Sequence, residues 1–198
     1  DILTHKTMQQ YTFNLYNSFA VNGTLLSLRK LLPYSENTPV ILCIGSDLSV
    51  GDSLGPICGT MLKENLRGLN CYVYGTLSRP ITAHEVSYMN EFFRQTHPGC
   101  PVIAIDAAVG SAGDIGLIKL TDGGVKPGSG ANKKLSRVGD VAIMGIIAEK
   151  SVFNFSILTA TRLNIVYKMA EIISEGVSTF IMDAIRHQAA RSNQKGAV

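Results

Sequence analysis

The chain has 198 residues, of which 45% are hydrophobic and 17% charged, and a formal net charge of +3. This length suits one domain with a sizeable core, and this balance excludes a disordered or fibrous chain. The charge is too small to imply a nucleic-acid partner, and no stretch is apolar for long enough to span a bilayer, so neither nucleic acid nor membrane is expected.

Residues 1–36 are moderately polar, with one short helical pattern at Leu25, Leu26, Leu28, Leu31 and Leu32. They are expected to pack as an N-terminal extension on a core spanning 37–190, the whole forming a single domain. The apolar run 40–44 enters a Gly/Ser/Asp loop, and the loop enters a helical pattern at Leu54, Ile57, Cys58, Met61 and Leu62. That order is the opening half of a βαβ unit. Residues 71–76 read as the next strand. Thr82 and Glu85 have capping-box spacing, with Ile81 and Val86 at the staple positions, and predict a helix through Met89, Phe92 and Phe93 that stops at Pro98-Gly99. Residues 101–105 form another continuous apolar run, as in a parallel strand buried on both faces, and it ends in Asp106.

Residues 115–120 and 141–148 read as two further strands, the second long enough to be central. From Thr161 an apolar stripe at Leu163, Val166, Tyr167, Ala170, Ile173, Val177 and Ile181 predicts a long helix over one sheet face. Gly176 is a candidate break in it, and residues 191–198 a frayed tail. Strands alternating with helices predict a three-layer α/β/α sandwich with a mostly parallel sheet. Cys43, Cys58, Cys71 and Cys100 form no C-x-x-C pair and lie in or beside apolar runs. They read as buried thiols of a reducing compartment, and the opening residues lack a signal-peptide pattern, so the cytoplasm is expected.

The chemistry gathers at strand ends, where open α/β sheets bind ligands. A Gly-rich loop before a helix first suggests phosphate, but Gly45, Gly51 and Gly55 fit no phosphate-loop spacing and Asp52 would repel an anion. Asp52 or Ser53 can equally be a simple helix cap. If the strands ending near Asp52 and Asp106 are neighbours, the two acids face each other across a crevice. Such a pair can divide into acid and base, or hold a divalent metal with His84 or Asp47 completing the shell. His84, expected in the first turn of its helix, is either a base favoured in its neutral form or a solvated residue. Lys126, Lys133 and Lys134 make either a local anion site or a solvated loop.

The pattern Gly45-Ser46-x-Leu48-x-x-x-Asp52-x-Leu54-Gly55-Pro56, with Val102-Ile103-Ala104-Ile105-Asp106-Ala107, resembles the paired signature of the germination proteases of spore-forming bacteria. More distantly it resembles the hydrogenase maturation endopeptidases. The stretch 124–134 is similar to the Gly-rich basic loop of the germination proteases. The chain as a whole is most similar to small sporulation proteins related to them. The resemblance implies a phosphorylase/hydrolase-like fold and Asp52 and Asp106 as catalytic aspartates. In the hydrogenase maturation enzymes a histidine completes a metal site; Val138 stands in the corresponding place here. The expected function is peptide-bond hydrolysis by an aspartate pair in sporulation or germination, in a spore or mother-cell cytoplasm. Gly45, Ser46, Asp47, His84 and Lys126 are the candidate substrate-binding residues, the loop amides serving an oxyanion. The implied partners are protein substrates such as small acid-soluble spore proteins. The alternative is a non-catalytic sporulation factor that keeps the fold and binds a protein partner.

Overall fold

The computed structural model describes residues 8–125, 137–150 and 161–195. Strand β1 (Gln10–Asn14) and helix α1 (Ala20–Leu31) come first, then β2 (Val40–Cys43), α2 (Leu54–Asn65), β3 (Tyr72–Tyr74) and α3 (Val86–Thr96). They are followed by β4 (Val102–Gly110), β5 (Leu117–Asp122), β6 (Val141–Glu149) and α4 (Leu163–Lys195). The strands form one sheet in the order β1-β5-β6-β4-β2-β3. β2 runs parallel to β3 and β4, and β4 parallel to β6, while β5 is antiparallel to β6 and β1.

All four β2 residues are buried because helices cover both faces of the sheet. On one face Ile41, Cys43, Ile103, Ile105 and Ile143 pack against Leu54 and Leu62 of α2 and Met169, Ile173 and Phe180 of α4. On the other, Val40, Leu42, Ala104 and Ala142 pack against Val86, Met89 and Phe93 of α3. The expected α/β/α layering with a mostly parallel sheet is the fold. Each large apolar side chain so buried contributes about 1.5–3 kcal/mol.

Several local expectations are corrected. Part of the supposed extension belongs to the sheet: β1 is an edge strand paired to β5, and its Tyr11 and Phe13 pack on the core. Helix α4 runs unbroken through Gly176 and on to Lys195. Gly176 is a point of close approach, since a Cβ there would stand 2.8 Å from Cβ of Thr24 in α1. The buried stripe of α4 is Val166, Met169, Ala170, Ile173, Val177, Phe180, Ile181 and Ala184, whereas Leu163 and Tyr167 are exposed.

Thr82 and Glu85 do not start α3. The Thr82 amide and hydroxyl both donate to Glu85 Oε2, at 2.7 and 2.5 Å, closing a turn ahead of a helix that begins at Val86. The stretch 126–136, with Lys126 and most of the Gly-rich basic loop, lies outside the described residues. Its described flanks, Val125 and Val138, pair with each other and are buried on the α3 side.

Candidate active site

From β2 the chain passes through α2 to β3 at the sheet edge, then returns through α3 to β4 on the other side of β2. Because α2 and α3 lie on opposite faces, the strand order switches direction between β2 and β4, and the carboxyl ends of these two strands are where open α/β sheets bind ligands. The last β2–β4 rung is the Ile44 amide donating to the Ile105 carbonyl at 2.8 Å. β4 continues past it to Gly110, so Asp106 sits in mid-strand rather than at the strand end that its apolar run suggested. It is nevertheless the first β4 residue without a β2 partner, paired only to Met144 of β6.

Asp52 comes to the same end of the sheet from the loop after β2. Gly45 has φ 143°, and a Cβ there would collide with the Asp52 carbonyl oxygen. Glycine is therefore required where the loop folds back on itself. The Ser46 amide donates to the Asp52 carbonyl at 3.0 Å and the Asp52 amide to the Ser49 carbonyl at 3.1 Å. Asp52 lies in the short 3-10 turn Gly51–Ser53 that leads into α2. Neither helix start carries a side-chain cap, and the Ser53 hydroxyl donates back to the Val50 carbonyl at 2.7 Å. The cap reading of Asp52 and Ser53 therefore has no geometry behind it.

Burial is the main influence on both acids. Asp106, with 8% exposure, is held well above the usual carboxylate range, first by desolvation and then by the charge of Asp52, against the pull of the Ala107 amide. Half-buried Asp52 is raised less, by desolvation, and the Ser46 amide opposes the rise. The pair therefore gives up its protons in order: Asp52 ionises first, and its charge keeps the proton on Asp106. Such a site offers a carboxylate and a carboxylic acid within reach of each other's charge.

The remaining candidates are placed differently. The Gly45 amide already donates to the Ile81 carbonyl at 2.9 Å, and the Ser46 amide to Asp52, so these two are not free for an oxyanion. Asp47 is exposed, and its amide has no acceptor among the described residues. His84 is exposed in the turn before α3, not in the first helical turn, and its recorded neighbours are Thr82 and Glu85. Among the described residues no three His, Cys, Asp or Glu side chains gather closely enough to hold a metal ion. Two carboxylates without a third donor among the described residues do not fit a three-ligand metal centre. Cys43 and Cys58 are fully buried, and burial pushes both thiols up, away from the reactive thiolate.

One polar group here has no signature in the sequence. The Ser49 hydroxyl is buried and has no hydrogen-bond partner among the described residues. Serine in a polar loop looks solvated until the fold covers it. Leu48 beside it is the opposite case, an apolar side chain 92% exposed at the loop tip.

Over 139 residues the chain is 40% identical to a Bacillus subtilis (strain 168) protein described as uncharacterized protein YyaC, a match covering 70% of this chain and 67% of that one. Among solved structures, the fold is similar to the crystal structure of a NiFe hydrogenase maturation protease, HycI, from Thermococcus kodakarensis KOD1. The TM-score is 0.52 at 17% identity, over 79% of this chain and 99% of that one. At that identity the likeness is one of fold. The family described as "Protein of unknown function (DUF1256)" matches residues 12–176, and the chain belongs to it. Among the described residues no helix is long and apolar enough to cross a membrane.

Proposed function

We propose that this member of the DUF1256 family is a peptide-bond hydrolase whose acid and base are Asp106 and Asp52, and that it acts in sporulation or germination on a protein substrate. The observation that carries the reading is buried Asp106 under the influence of the Asp52 charge, at the end of the sheet where the strand order switches direction between β2 and β4. A fold similar to that of a maturation protease supports it. So does the resemblance of the two acid-bearing stretches to the germination proteases, which suggests small acid-soluble spore proteins as substrates.

In this reading ionised Asp52 takes a proton from a water as its oxygen attacks the amide carbon. The Asp47 amide receives the developing oxyanion. Asp106 gives its proton to the leaving nitrogen as the C–N bond breaks, releasing a carboxylic acid and an amine. Transfer of the proton from Asp52 back to Asp106 restores the starting state. A second reading, a partner-binding factor that keeps the fold without catalysis, draws on Leu48, whose apolar side chain on the site loop suits a protein contact.

The deciding experiment incubates the purified chain with a small acid-soluble spore-protein fraction, beside Asp52→Asn and Asp106→Asn. Defined fragments made by the wild type and lost in both variants are expected. Fragments that persist in both variants would overturn the aspartate pair, and a wild type that cuts nothing would overturn the hydrolase and leave the partner-binding reading.

A further inference from the structure

The register of the sheet carries the site beyond the two acids. Asp106 of β4 pairs with Met144 of β6, and Met144 pairs with Lys119 of β5. Residues in register on adjacent strands point to the same side, so Lys119 and Asp106 share the α3 face of the sheet with only Met144 between them. The neighbouring residues confirm the alternation: Ile118 and Leu120 of β5 are buried in the core on the opposite face, as are Ile105 and Ile143. The α3 core takes in Ala104 and Ala142, the residues just before this row on its own face. From there toward the carboxyl ends of β4 and β6 the face is half-open, and Met144, Ala108 and Gly110 are all partly exposed.

Lys119 is conspicuous in this setting. It is the charged residue of an otherwise apolar run, Leu117-Ile118-Lys119-Leu120, and its side chain is only 23% exposed. Its recorded partner is Asp114 Oδ2, at 3.5 Å. That carboxylate is already engaged in a capping box with Ser111, which together with Lys119 holds Asp114 below the usual carboxylate range. An ammonium group has three donors, so Lys119 keeps capacity to spare. Lys150, just after β6, offers the contrast of an exposed cation.

We propose that Lys119 is a specificity-determining residue that receives a carboxylate of the substrate, supplied by an acidic side chain or by a chain end. The proposal rests on the hydrolase reading for the position of the cut bond. Two strand spacings separate Lys119 from Asp106, or about 10 Å, which an extended peptide crossing the strands covers in about three residues. The substrate carboxylate therefore belongs about three residues from the scissile amide. Between them lies Met144, a partly exposed apolar residue that leaves the intervening side chains unselected.

The test uses full-length Asp106→Asn, expected to hold peptides without cutting them, and three fluorescent peptide pools measured by anisotropy. One pool is blocked at both ends and contains Asp and Glu, the second is identical but with Asn and Gln in their place, and the third is the neutral pool with a free C-terminal carboxylate. The acidic pool, the free-end pool or both should bind about tenfold or more tightly than the blocked neutral pool. Whichever pool gains identifies the source of the carboxylate. In this background Lys119→Met should erase the gain, Lys119→Arg should retain most of it, and Lys150→Met should leave it intact. A gain that survives Lys119→Met in a protein with an unchanged melting curve overturns the proposal, as does equal or absent binding of all three pools. Cleavage by the wild type without any acidic preference would sink Lys119 and leave the hydrolase standing. Lys119-dependent binding with no cleavage would do the reverse.

Discussion

On one face of the sheet α1, α2 and α4 bury a continuous layer that includes Leu28, Leu54, Leu62, Ile173 and Phe180. On the other, α3 together with Val125 and Val138 covers Val40, Leu42, Ala104 and Ala142, and the next row on that face is Asp106, Met144 and Lys119. The same strands thus present an apolar side that fixes their positions and a side that turns polar just past the last β2 rung. The difference teaches why one buried acid is tolerable here. The rigid layer behind β4 holds Asp106 in a low-dielectric position that an isolated hairpin could not maintain.

The sharpest way to break this division is chemical. Asp52→Asn and Asp106→Asn should each lower hydrolysis by about a hundredfold to ten-thousandfold, the usual contribution of a positioned acid or base, while far-UV circular dichroism stays unchanged. The structural half is broken from behind. Phe180→Ala should cost about 3–5 kcal/mol in urea unfolding, because Phe180 is 1% exposed in the layer that α4 lays over the sheet. Met144→Ala on the front face should cost at most about 2 kcal/mol, since that side chain already meets solvent. Equal costs would mean that the two faces do not divide support from function in this way.

What could be read in advance follows the same division. Apolar runs such as 40–44 and 101–105 read as strands buried on both faces, so the parallel sheet was legible, whereas bringing the two acids to one end of it depended on β2 and β4 being neighbours, which the pairing shows. The role of residues 10–31 was not, because the alternation in β1 is modest and pairing with β5 across the chain decides it. Glu85 had the spacing of a capping box, and its carboxylate does accept from the Thr82 amide, but the Thr82 hydroxyl donates to the same carboxylate and meets the His84 amide only at 3.4 Å, so the pair closes a turn before Val86 and no local pattern distinguishes those two uses. Gly176 looked like a helix break because sequence shows the missing side chain and not Thr24 filling its place. Lys119 and Ser49 lay beyond sequence reading altogether. One depends on register across three strands, the other on a loop closing over a hydroxyl.

A gentler test uses pH. Activity in the proposed reading needs Asp52 ionised and Asp106 protonated, so it should rise as pH climbs through the raised value of Asp52 and fall as Asp106 loses its proton. Because the Asp52 charge raises Asp106, Asp52→Asn should move the Asp106 titration to lower pH, as followed by carboxyl carbon NMR. Stability carries a related sign. Proton binding by Asp106 favours the fold fully below the ordinary carboxyl range, and this contribution is lost as pH rises through its raised value. Asp106→Asn, which stays uncharged, should therefore melt higher than the wild type at neutral pH and lose that advantage in acid.

The smallest expected effect concerns Ser49. Its buried hydroxyl lacks a partner among the described residues, so Ser49→Ala should remove an unmet hydrogen-bonding group and leave stability unchanged or raise it by about 1 kcal/mol. If the hydroxyl is held ready for a ligand at this end of the sheet, the same variant should raise KM for peptide while kcat and the pH profile stay put, and Ser49→Thr should restore the lost affinity. A destabilised Ser49→Ala with unchanged KM would instead mean that the hydroxyl supports the loop that carries Asp52. The half-open front of the sheet would then begin at Asp106 and Lys119, with the Asp52 loop belonging to the packed side.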